Sequence, residues 1–267
     1  MLNRLLKNLL LLGFICLCFE SYAESVSIRT LVIYSEEYLN SYPNKTKAKD
    51  EVKKEILFLN NSLEKQKVKI FFNLIAEESV TLDYMGSPEE YCYDFVGDSF
   101  YLIDPNPEFA NLVKYRKKHK ADVVILMTHN NSSHFIASKN YGIACDQFYD
   151  GSFRDYRETD QSYLIVDKQG LNTLTLPHEI GHFLGLDHHY ALIDQNEATM
   201  MIGNGNEENL RRIGLWSDSS MKPFYEYGEV ATSFQGLSDV QIMNHNAVHA
   251  SQAFERMNNT LPKLEMD

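Results

Sequence analysis

His178-Glu179-Ile180-Gly181-His182-Phe183-Leu184-Gly185-Leu186-Asp187-His188 is the stretch on which the reading of this chain turns. His178 and His182 are four residues apart, so on an α-helix their rings share one face, one turn apart. Two neutral imidazoles placed this way can bind one metal ion at about 2.0–2.1 Å. Glu179 lies one position round the helix. There a carboxylate is close enough to take a proton from metal-bound water without binding the metal itself. Gly185 tolerates positive φ, so the helix can end and the chain can turn, bringing His188 in from outside the helix. Three protein ligands leave a fourth position open, the pattern of a catalytic rather than a structural zinc site. The short His-Glu-x-x-His pattern arises by chance in about 1% of chains this size, and adding Gly185 and His188 lowers that to the order of 10⁻⁵. The competing reading is a helix with two incidental histidines and a glycine cap; those rates disfavour it.

These eleven residues resemble the zinc signature of the metzincin metalloproteases. Those enzymes carry a methionine-bearing turn beneath the metal, and Ala198-Thr199-Met200-Met201-Ile202-Gly203 is similar to it. A threonine two residues before the methionine favours Met201 over Met200; the alternative is two ordinary core methionines. Upstream, the order of elements resembles the reprolysin (adamalysin-like) branch, with a strand at 31–34, a long helix, a second strand, and a third strand at 121–127. Gly142-Ile143-Ala144 then looks like the strand that forms the upper rim of that family's substrate cleft. The resemblance covers roughly residues 27–203. Two departures stand out: His189 follows the third histidine where reprolysins usually have Asp, and no tyrosine lies two residues after Met200 or Met201. The resemblance implies an α/β fold, a twisted mixed sheet over helices with the zinc helix below it. It also implies one catalytic Zn2+, held by His178, His182 and His188, and hydrolysis of peptide bonds with Glu179 as general base. A different expectation is a secreted binding protein or toxin on the same scaffold that cuts little; the intact Glu179 argues against it.

Arg4 and Lys7 precede an uncharged, leucine-rich run from Asn8 to Phe19, and Ser21-Tyr22-Ala23 follows. The run is too short to span a bilayer and suits a signal peptide over residues 1–23, cleaved before Glu24. Residues 24–267 then form the catalytic domain, with an upper part at 24–188 and a lower part at 189–267. Removing Arg4, Lys7 and Glu20 from 25 basic and 37 acidic residues leaves 23 and 36, a balance of −13. Such an acidic chain is a poor partner for nucleic acid or anionic lipid. The expected partner is a protein or peptide substrate, and the expected place is outside the cell or in a periplasm. Of four cysteines, Cys92 and Cys145 lie beyond the leader. In an oxidising compartment such a pair is expected to be bridged, which would stiffen the cleft rim; otherwise both are buried thiols.

Periodicity completes the outline. Residues 27–35 read as a strand, and Val52, Ile56, Leu59 and Leu63 mark the buried stripe of a helix over 48–63. Residues 68–75 read as a half-buried strand, with 80–84 beside it. Residues 107–119 read as a helix, 121–127 as a central strand covered on both faces, and 162–167 as the last strand before the zinc helix. The zinc helix should start between Thr173 and Thr175, with Pro177 near its first turn. Residues 204–236, holding Trp216, read as loop-rich. A final helix starts at Ser238-Asp239-Val240-Gln241, with Val240 and Met243 inward.

Other groups carry less. His245 and His249 lack a following glutamate and a third ligand, so they read as a solvated helix face. His129 and His134 read as loop residues, His189 as a neighbour of the site, and the polar runs at 194–197 and 204–209 as turns rather than calcium loops.

Overall fold

A computed structural model describes residues 25–82, 110–129, 141–144, 163–186, 188, 192–194, 197–201, 211–212, 214–217, 225–226 and 239–244. Strand β1 (Val26–Ser35) leads through the short helix α1 (Glu36–Asn40) into α2 (Lys45–Lys65) and then strand β2 (Ile70–Val80). Helix α3 (Ala110–His119) precedes β3 (Val123–Thr128), and β4 (Gly142–Ala144) and β5 (Tyr163–Asp167) follow. These strands form one five-stranded sheet in the order β2-β1-β3-β5-β4. All neighbours are parallel except β4, which runs antiparallel to β5 at the edge.

The chain winds outward from β1 in both directions, so helices cover both faces of the sheet. On one face Val52, Ile56, Leu59 and Leu63 of α2 pack against Val32, Ile125 and Leu164. On the other, Leu112 of α3 packs against Leu31, Val124 and Ile165. All six residues of β3 are buried, as its unbroken apolar run requires. Arg29 ties the start of β1 to β3: its backbone N donates to Asp122 Oδ2 at 2.8 Å, and its Nε at 3.0 Å. Asn44 caps α2 by accepting from Lys47 N at 2.8 Å.

Several sequence expectations are corrected. The second strand is a single 11-residue strand, Ile70–Val80, rather than one over 68–75 with a partner from residue 80. Its register against β1 shifts between Thr30 and Leu31, so Ile75 is an extra residue and the alternation of faces breaks there. Helix α2 runs to Lys45–Lys65, longer at both ends than expected. A 3₁₀ turn over Lys168–Thr173 precedes the metal-motif helix α4 (Thr175–Phe183). The lower part is not simply loops: β6 (Leu192–Asp194), β7 (Glu197–Ala198), β8 (Arg211–Arg212) and β9 (Tyr225–Glu226) form a small sheet in the order β8-β7-β6-β9. Residues 239–244 are helical, with Val240, Ile242 and Met243 buried.

The leader, Cys92, Cys145, His134, Asp187, His189, His245, His249 and the run 204–209 lie outside the described residues. Among the described residues, no helix is long and apolar enough to cross a membrane.

Candidate metal centre

Helix α4 is buried along most of its length. Leu176, Ile180 and Phe183 join the core beneath the sheet, which fixes the rotation of the helix and turns the faces of His178 and Glu179 toward the site. The helix begins at Leu174, in the left-handed region at φ 60, without a side-chain cap. It ends as the motif requires. Gly185 has φ 87, its N–H bonds His182 O at 2.9 Å, and Leu186 N–H bonds Gly181 O at 3.0 Å. This is a Schellman turn, and it reverses the chain so that His188 comes back over the helix.

The three rings converge. His178 Nε2 lies 3.0 Å from His188 Nε2 and 3.2 Å from His182 Nε2, and His182 Nε2 lies 3.1 Å from His188 Nε2. Among the described residues they form a group able to hold a metal ion. A tetrahedral ion with metal–nitrogen bonds of about 2.0–2.1 Å sets its nitrogens about 3.3–3.4 Å apart, so the spacing fits within a few tenths of an ångström.

The far sides of two rings are fixed by backbone. His178 Nδ1 is 2.8 Å from Met200 O, and His182 Nδ1 is 2.9 Å from Leu186 O. A carbonyl can only accept, so Nδ1 donates in both rings and each neutral ring points an Nε2 lone pair into the site. Such outer partners orient metal-binding histidines generally. Neither carbonyl was legible in the sequence, since every residue carries one.

Met201 is fully buried, with its Sδ against Gly181 on the floor of the helix. Met200, also buried, contributes its carbonyl to His178. The two methionines therefore divide the roles: the side chain of Met201 lies under the helix and the backbone of Met200 holds a ring. Glu179 is only 6% exposed and lies beside the edge strand β4. Gly142 and Ala144 face the helix, while Ile143 points to the opposite face of the sheet.

His129 follows directly on β3. Its Nδ1 is buried without a hydrogen-bond partner, and burial lowers its pKa against the pull of nearby Asp167.

No family model matches the chain, and no curated protein is similar to it in sequence. In solved structures, the fold is similar to that of a chain described as "Structure of a chaperone-substrate complex", with a TM-score of 0.59 and 18% identity. The match covers 86% of this chain and 39% of the other, so this chain spans well under half of that relative's length. At such identity the likeness carries the fold alone: a mixed α/β sheet packed on helices.

Proposed function

We propose that the chain is an exported zinc-dependent endopeptidase of the metzincin type, its catalytic domain following a cleaved leader. One observation carries the proposal. Two imidazoles, each with Nδ1 committed to a carbonyl, face each other Nε2 to Nε2 at 3.2 Å, with a third Nε2 at 3.0 and 3.1 Å. Lone pairs so placed repel unless a cation lies among them. An all-imidazole set of three suits a zinc ion whose fourth ligand is water. Zinc held by His178, His182 and His188 would polarise a scissile carbonyl and activate a water for attack.

The chain's own residues supply the rest. Glu179 accepts a proton from the attacking water as the water oxygen bonds to the carbonyl carbon. It then delivers that proton to the amine nitrogen as the carbon–nitrogen bond breaks. The outer edge of β4, Gly142-Ile143-Ala144, unpaired among the described residues, offers backbone N–H and C=O groups to an extended peptide, which would add as an antiparallel strand.

Glu179→Ala tests the reading. The variant is expected to hold as much zinc as the wild type by elemental analysis and to cleave an unstructured protein at least 10²-fold more slowly, as loss of a general base requires. Equal turnover removes Glu179 from the chemistry. A wild-type protein that binds zinc yet cuts nothing in a broad peptide library is instead a binding protein on this scaffold.

A further inference from the structure

Edge strand β4 approaches helix α4 more closely than a side chain would permit. A Cβ built on Gly142 would lie 2.5 Å from Thr175 Cγ2, 2.8 Å from Glu179 Cγ and 3.1 Å from Glu179 Oε1. Thr175 and Glu179 are four residues apart on α4, so they form one surface of the helix, and the backbone of Gly142 rests on it. The two shortest contacts, unlike Glu179 Oε1, are not with the far end of a flexible chain. A β-branched methyl and a γ-carbon are held close to the helix backbone, so an added methyl must displace the strand or the carboxylate. The neighbouring position on the same face is Ala144, 1% exposed and in the same core cluster as α4. Small residues at both positions bring the strand down onto the helix.

We propose that Gly142 is a positioning residue for Glu179: its missing side chain lets the edge strand clamp the glutamate against Thr175, fixing the carboxylate beside the histidine group. This rests on the endopeptidase reading for its consequence in catalysis, but the clamp itself does not need that reading. The same strand edge is the one offered to substrate, so the residue that would orient the base lies next to the backbone that would hold the peptide.

The test is a set of variants of the full chain, loaded with zinc. Thr175→Ser removes the methyl that a Gly142→Ala side chain would strike hardest, and it keeps a hydroxyl for Thr173 Oγ1, now 2.8 Å from Thr175 Oγ1. First, thermal unfolding is measured in two backgrounds. Gly142→Ala is expected to lower Tm by about 5 °C in the wild type, the scale of overpacking a well-filled core. In the Thr175→Ser, Glu179→Ala background it should lower Tm by less than about 1 °C, because the obstructing atoms are gone. An equal loss in both backgrounds overturns the clamp. Second, the Gly142→Ala, Thr175→Ser double variant is compared with Thr175→Ser on a fluorogenic peptide. The expectation is kcat lower by about 10-fold, as a misplaced base implies, with bound zinc unchanged. An unchanged kcat overturns the positioning role. If the wild type and Thr175→Ser hold zinc and cut nothing, the endopeptidase reading fails, and the Tm comparison alone decides whether Gly142 clamps Glu179.

Discussion

One left-handed residue places the third histidine. Gly185, at φ 87, closes α4 in a Schellman turn. Two other helices close the same way with lysine in that position. At Lys67 (φ 58), Lys67 N–H bonds Glu64 O at 3.0 Å and Val68 N–H bonds Leu63 O at 2.9 Å. At Lys120 (φ 53), Lys120 N–H bonds Lys117 O at 3.2 Å and Ala121 N–H bonds Arg116 O at 3.1 Å. A side chain in this region costs about 1–2 kcal/mol, which glycine avoids. Lys120→Gly should therefore stabilise the chain by about 0.5–1 kcal/mol in denaturant melts, part of the relief being offset by the freer unfolded chain. Gly185→Ala should do the reverse, costing about 1–2 kcal/mol, and should also weaken metal binding. The turn carries both Leu186, whose carbonyl holds His182, and His188 itself. Isothermal titration with zinc reads the second effect, and unchanged affinity would detach the turn from the site. The sequence showed this turn at Gly185, because glycine after a helical pattern is a signal with a cause. It could not show the same turn at Lys67 or Lys120, where lysine gives no sign of its backbone. Nor could it show that Met200 and Leu186 act through their carbonyls.

At the scale of elements, legibility followed the strength of periodicity. The run at β3 and the stripe of α2 were plain, since full burial on both faces and a 3.6-residue stripe leave clear patterns. β2 was misread because the bulge at Ile75 moves the apolar face by one residue midway. The strands of the lower sheet were invisible at two or three residues each, too short for any alternation to register. Asp239 read as part of a capping signal, and its actual bonds span a long loop. Its N–H bonds Ser217 Oγ at 2.9 Å, its Oδ2 accepts from Ser217 N at 2.8 Å, and its Oδ1 is buried without a partner. Burial pushes this carboxyl up to about 8, against the two Ser217 bonds that favour the charged form. The folded pKa lies above the unfolded value of about 3.9, so the folded state holds an extra proton between them. The stability this contributes is fully present below about pH 4 and is lost as pH rises through 8. Asp239→Asn cannot ionise. Its stability relative to the wild type should climb between about pH 4 and pH 8 in urea melts and level off above that, and parallel pH profiles for the two proteins would show that Asp239 does not titrate in this way.

At the scale of the whole molecule, the histidine group is a junction. His178 and His182 belong to a helix packed under the main sheet, whereas His188 follows the turn and Met200 lies in the lower part, just after β7. Met200 N–H in turn bonds Leu215 O at 2.7 Å, next to Trp216, which Gln66 at the end of α2 holds through two bonds to its backbone. An ion shared by the three rings would tie helix α4 to the segment beyond its turn, and the Met200 carbonyl joins His178 to the lower part. Binding to the folded state alone stabilises it by about 4 kcal/mol when free metal is 1,000 times Kd. For a chain of this size that corresponds to a rise in Tm of roughly 10 °C. Chelation at pH 7.5 should remove that increment, and added zinc should restore it. His188→Ala keeps the helix and its two rings but removes the ligand beyond the turn, so its Tm should respond to chelator weakly or not at all. A chelator response in His188→Ala as large as in the wild type would mean that the metal is held by α4 alone and does not tie the helix to the segment beyond its turn.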